Sequence, residues 1–177
     1  MLLTTRGAAL LLVDLQQRLV PALADGETVV ARAVRLAEAA QLLGVPICAT
    51  EQNPDKLGPT VAPLAAHPQN VVAKTAFSAT GAPGFSTLLP PGTAEVVVAG
   101  CEAHVCVLQT VLGLLADGLR AVVVTDAIGS RDPANAAAAV ERMARHGAEV
   151  VTSEMVLFEW LGDAAHPRFR EVQKLLR

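Results

Sequence analysis

The sequence predicts an α/β domain in which a parallel sheet lies between two layers of helices, and two observations carry that prediction. Apolar runs of the length and character of strands buried on both faces recur at 9–13 (ALLLV), 46–50 (PICAT), 71–73 (VVA), 95–100 (EVVVAG), 121–126 (AVVVTD) and 148–152 (AEVVT). Helix-period stripes separate most of them. Strands and helices alternating at this spacing require right-handed crossovers, which place helices on both faces of a parallel sheet.

The elements follow in chain order. After the first run, Val29, Ala33, Leu36, Ala40 and Leu43 form an apolar stripe that Gly44 and Pro46 end. The segment 51–69 (EQNPDKLGPTVAPLAAHPQ) holds four prolines and a glycine, so it predicts a structured loop over one end of the sheet instead of a long helix. Val105, Leu108, Leu112, Leu115 and Leu119 make a second stripe, and Ala136, Val140 and Met143 a third. That third helix has a defined start, with Asp132 as its cap and Pro133 in its first turn.

A chain of 177 residues suits one domain spanning 1–177 with a core that needs no disulfide or structural metal. Three cysteines are too few for a disulfide framework, and the N-terminus lacks the pattern of a signal peptide, so a cytoplasmic protein is expected. Although 52% of the residues are hydrophobic, they fall in strand-sized pieces, and no membrane span is expected. A net charge of −3 with 3% aromatics supplies neither the basic footprint nor the stacking surfaces of nucleic-acid binding.

In open parallel sheets, ligands bind beyond the carboxyl ends of the strands. Three reactive types fall there: Asp14, Lys74 and the segment GCEAHVC (100–106). Asp14 either caps the following turn or is held by a partner, because a lone buried carboxylate is costly. Lys74 either packs its stem and sends its ammonium to water or joins a site. Cys106 stands at the start of the helix carrying Leu108 and Leu112, where unpaired N–H groups favour a thiolate; the competing reading is a buried structural cysteine. Cys101 and Cys48, inside apolar runs, fit the structural reading better. Cys101, His104 and Cys106 lack the compact spacing and completing ligand of a zinc site, so no metal is expected. His67, His146 and His166 need no catalytic role, and without a glycine-rich phosphate fingerprint no nucleotide cofactor is indicated.

LLVDLQ (11–16), KTAFSA (74–79) and VVVAGCEAHVCVLQT (96–110) resemble, in order, the three signature segments of the isochorismatase-like, or cysteine-hydrolase, superfamily. TEQNPDKLGPTV (50–61) and FEWLGDAAHPRFREVQKLL (158–176) are similar to the branch of isochorismatase domain-containing hydrolases, so the resemblance covers nearly the whole chain. It implies a three-layer Rossmann-like sandwich with a six-stranded parallel sheet in the order 3-2-1-4-5-6, with the first and fourth strands flanking the switch point. It also implies a catalytic triad of Asp14, Lys74 and Cys106. Lys74 is the hardest to place, because a third strand lies roughly 10 Å from the first.

The resemblance further implies a cofactor-independent mechanism. Asp14 accepts the proton of Cys106, Lys74 stabilises the thiolate, the sulfur attacks a carbonyl or imine carbon, and water hydrolyses a thioester-type intermediate. Relatives carry a cis peptide in this turn; carried over, it joins Cys101 and Glu102, and the N–H groups of Glu102 and Cys106 form an oxyanion hole. Metal-dependent nicotinamidases of the superfamily have an Asp-x-His motif after the second strand, where this chain reads TEQNPD with no histidine before His67. True isochorismatases lack the nucleophilic cysteine, so Cys106 points to cleavage of a C–N bond in a small amide-like substrate. Glu51, Gln52 and Phe77 either line the pocket or are loop-surface polar residues and a packed aromatic. A non-catalytic member of the fold and a thiol-redox protein using Cys101 and Cys106 are the alternative readings. Relatives form dimers or larger assemblies, which implies a homo-oligomer, and Phe158 and Trp160 are either interface or core.

Overall fold

The computed structural model describes residues 1–176. Its six strands are β1 (Ala8–Val13), β2 (Ile47–Gln52), β3 (Asn70–Lys74), β4 (Glu95–Cys101), β5 (Arg120–Gly129) and β6 (Glu149–Val151). They form one parallel sheet in the order β3-β2-β1-β4-β5-β6, the topology that the family resemblance implies. The helices are α1 (Gly26–Leu43), α2 (Pro54–Leu57), α3 (Phe85–Leu88), α4 (Leu108–Ala116), α5 (Pro133–Arg145), α6 (Ser153–Leu161) and α7 (Phe169–Lys174).

Every residue of β1 is buried, as a strand covered on both faces must be. Its side chains alternate between two cores. Leu10 and Leu12, with Ile47, Ala49, Val97 and Val122, belong to the core that holds Leu36 of α1 and Trp160 of α6. Leu11 and Val13, with Cys48, Val96, Val98 and Val123, belong to the core that holds Val111 and Leu114 of α4 and Met143 of α5. Each fully buried Leu or Val contributes about 1.5–3 kcal/mol, so both layers are anchored by the sheet itself. Trp160 is thus core, while Phe158 and Met155 lie exposed on α6. Among the described residues no helix is long and apolar enough to cross a membrane.

The stop and start signals act as expected. Gly44 closes α1 in the left-handed conformation at φ 73°, and its N–H bonds to Ala40 O. Asp132 accepts the N–H of Ala134 at 2.8 Å and caps α5, with Pro133 in the first turn. The proline-rich segment after β2 forms only the single turn α2, and a bridge between Gln16 and Thr60 ties it to the sheet. The register of β4 against β5 shifts between Val98 and Gly100; within the shifted stretch of β5, Asp126 accepts the N–H (2.7 Å) and hydroxyl (2.6 Å) of Ser153 at the start of α6.

One element differs from the periodicity. The helix expected from about 105 opens as a π-turn over Ala103–Val107, and α4 proper starts at Leu108. The N–H of Val107 reaches back five residues to Glu102 O at 3.2 Å, which widens the turn. An apolar stripe reports which face is buried and does not distinguish a 3.6-residue turn from a wider one.

Candidate active site

Asp14 follows β1 with φ 52°, a left-handed conformation that aspartate tolerates better than most residues. Alternation along β1 would carry it to the side of Leu12, and the positive φ takes it out of that series. Its Oδ1 accepts the hydroxyl of Thr50 at 2.7 Å, and its Oδ2 accepts Lys74 Nζ at 2.7 Å. Both charged side chains are fully buried. Lys74, paired with Gln52 across β2–β3, spans the intervening strand with its side chain, which closes the gap between β3 and β1 that strand spacing leaves.

The ammonium has further partners: Gln52 Oε1 at 2.7 Å, Phe77 O at 3.1 Å and Ala76 O at 3.3 Å. Gln52 Nε2 donates to Thr75 O at 2.8 Å, so both ends of that amide are committed. Gln16, wholly buried, in turn holds Gln52: its Oε1 accepts the Gln52 N–H at 2.7 Å, and its Nε2 donates to Gln52 O at 3.0 Å and Gly58 O at 2.6 Å.

Cys48, Thr50 and Gln52 share one face of β2, and Glu51 points to the other. Glu51 Oε1 accepts the N–H (2.7 Å) and hydroxyl (2.8 Å) of Thr60, fastening the loop. Of the three residues expected to line a pocket, Gln52 is bonded within the buried cluster, Glu51 serves the loop, and Phe77, a residue 54% exposed, presents its carbonyl to Lys74. Thr50 and Gln16 are not among the residues expected from the sequence. The period of two along β2 is the signal that includes Thr50, since it shares a face with Gln52.

The turn after β4 brings the thiol to this ion pair. Gly100 runs so close to β1 that a Cβ there would stand 2.1 Å from Val13 O, and its φ is 139°. Only glycine fits on both counts. The Cys101–Glu102 peptide is cis, at the bond the resemblance indicates. Cys101 Sγ donates to Asp14 O at 3.2 Å, and burial pushes its thiol pKa well up. Cys106 lies in the π-turn, 6% exposed. Burial, first, and then the Asp14 charge push its pKa up to about 12, while Lys74 pulls it down. Burial and the Asp14 charge thus oppose the thiolate that Lys74 favours.

Two contacts hold the turn from outside. His104 Nδ1 and Ser130 Oγ lie 2.9 Å apart, and Glu102 Oε1 accepts Arg131 Nε at 2.9 Å and the Arg131 N–H at 3.2 Å. Among the described residues no group of three or more His, Cys, Asp or Glu side chains converges as a metal site would require.

A parallel sheet with a buried carboxylate, lysine and thiol gathered where its strand order reverses defines an open-sheet α/β protein with one chemically loaded crevice. The isochorismatase domain model matches residues 8–155, and the chain belongs to the isochorismatase family. Isochorismatase domain-containing protein 2 of Pongo abelii is 40% identical over 171 residues, covering 97% of this chain and 83% of that one. Among solved structures, a MAR1 ribonuclease from Caenorhabditis elegans is similar with a TM-score of 0.93 and 36% identity, covering 99% of this chain and 92% of that one. YcaC from Pseudomonas aeruginosa, described with hexane-2,5-diol and covalent acrylamide, has a TM-score of 0.89 and 25% identity over 98% of this chain and 91% of that one.

Proposed function

We propose that this protein is a cofactor-independent cysteine hydrolase that cleaves a C–N bond in a small amide-like substrate. The observation that carries the reading is the buried Asp14–Lys74 pair set against the thiol of Cys106 at the switch point. The proton of Cys106 passes to Asp14 as the sulfur attacks the substrate carbonyl. Negative charge grows on the carbonyl oxygen, which the N–H groups of Glu102 and Cys106 receive; among the described residues nothing else accepts the Glu102 N–H. The C–N bond breaks, the amine leaves with the proton from Asp14, and a thioester remains on Cys106. Water then attacks that thioester, giving one proton to Asp14 and releasing the acid; return of that proton to sulfur restores the thiol. Lys74 balances the charge of Asp14 while the thiolate forms.

Support comes also from the Pseudomonas aeruginosa relative described with covalent acrylamide, a small amide that is electrophilic toward thiols. The redox reading is weaker, because Cys101 is fully buried and already committed to Asp14 O. The name of the Caenorhabditis elegans relative raises ribonuclease activity, but a chain of net charge −3 is a poor match for a polyanion. Self-association belongs to the same proposal, since Met155 and Phe158 leave apolar surface exposed on α6; light scattering reads it directly.

The test is a panel of small amides and carbamoyl compounds, with RNA as a comparison, followed by amine release and by intact mass. The expected result is turnover of one amide class, an acyl adduct on Cys106 in rapid quench, and loss of both in Cys106→Ala. Amide turnover that survives Cys106→Ala, or turnover of RNA alone, overturns the reading.

A further inference from the structure

We propose that Thr50 is a positioning residue for the reaction: its hydroxyl, donating to Oδ1 of Asp14, fixes the carboxylate beside Cys106 and limits its basicity. The inference rests on Asp14 acting as the base for Cys106.

A carboxylate can only accept, so the 2.7 Å contact requires the Thr50 hydroxyl to donate. Thr50 is 1% exposed and Asp14 0%, so water does not compete for this bond. The two carboxylate oxygens are thereby held separately, Oδ1 from β2 and Oδ2 from Lys74 on β3. A carboxylate bonded through one oxygen alone can rotate about its Cβ–Cγ bond; one bonded through both cannot. Its orientation toward the π-turn is therefore set from the opposite side of the crevice. The backbone agrees: the Asp14 N–H donates to Thr50 O at 3.0 Å, so the same two residues are joined through main chain and side chain.

The charged and titratable groups facing Asp14 are Lys74 from β3, Cys106 from the π-turn and Cys101 from β4. Against these, Thr50 is the uncharged donor. A hydrogen bond to the ionised form favours that form, so removing the hydroxyl makes the carboxylate a stronger base. It also strengthens the negative field at Cys106. Both effects move ionisation of the Asp14–Cys106 pair to higher pH.

The experiment follows alkylation of Cys106 by iodoacetamide across pH, read by peptide mass spectrometry with Cys48 as internal reference. It needs no substrate. Thr50→Val should shift the low-pH limb of the Cys106 profile upward by about one pH unit, and Thr50→Ser should return it to the parent position. A purely structural role for Thr50 would alter melting and leave the limb in place. If Thr50→Val does not fold, Thr50→Ala against Thr50→Ser makes the same comparison. Superimposable profiles for parent and hydroxyl-free variants overturn the proposal. Asp14→Asn separates the two levels. If it leaves the profile unchanged, Asp14 is not the base and the underlying reading fails; if it abolishes the limb while Thr50→Val does not move it, only the role of Thr50 fails.

Discussion

The same sheet carries an ionic cluster at each end, and the two are built differently. At the amino ends of the strands, Arg120 is ion-paired with Glu95 and Glu149 and also donates to the carbonyls of Met1 and Leu2. Arg120 and Glu149 are partly exposed, and the cluster joins the first residues of β4, β5 and β6 to the start of the chain. At the carboxyl ends, Asp14 and Lys74 are wholly enclosed, with a thiol beside them. A half-solvated cluster ties strands together at modest cost. Enclosing an ion pair costs more than its attraction usually returns, so a buried pair is weak evidence of stabilisation and stronger evidence of use.

The sharpest way to break that contrast is at the thiol. Cys106→Ala should lower amide hydrolysis by about a thousand-fold or more, while leaving the melting temperature near the parent value. No Arg120 variant should do this. Lys74→Met comes next: it strands a buried carboxylate and should destabilise the fold by about 3–5 kcal/mol in chemical denaturation. The pair Asp14→Asn with Lys74→Met should recover much of that stability without recovering activity. Recovery of activity would mean the ion pair is structural after all. Gly100→Ala should cost about 3 kcal/mol or more, because its methyl must displace the β1 backbone, and it should slow Cys106 alkylation as the turn moves. Arg120→Met should cost about 1–3 kcal/mol and leave the Cys106 profile unchanged.

The smallest effect is a pH dependence. Unfolded thiols ionise near 9.0, whereas folded Cys48 holds its proton to about 11 and folded Cys106 to about 12, both chiefly through burial. Raised folded values mean stability that is present below pH 9.0 and lost as pH rises toward those values. The denaturation midpoint should fall across that window, less steeply in Cys48→Ala.

How much of this was legible in the sequence differs by scale. Strands and the two outer layers follow from apolar runs and alternation, because burial on both faces leaves a strong compositional trace in β1 and β4, whereas the strand order came from the family resemblance. Asp14, Lys74 and Cys106 were legible as strand-end residues and as matches to family segments, and the structure brings them together. The committed amide of Gln52, the turning of Glu51 to Thr60 and the π-turn under Cys106 were not legible. Each depends on how a side chain or a turn is directed by partners from another strand, and no local pattern encodes a partner. The balance at Cys106 is only half legible for a related reason: a helix start can be read from spacing, whereas desolvation is a property of the whole enclosure.

The ammonium of Lys74 has three hydrogens and four acceptors within reach, so one acceptor is always left over. The two longest contacts, 3.1 and 3.3 Å, both go to the main chain of Phe77 and Ala76, while the two at 2.7 Å go to Asp14 and Gln52. Lifting residues 76–77 therefore forfeits about one shared hydrogen bond and leaves the charge-bearing contacts whole. The main chain at 76–77 thus completes the shell of the ammonium without carrying it, and the bonds of Thr75, Ser78 and Ala79 to Gln52, Gln109 and Thr110 hold that segment in place.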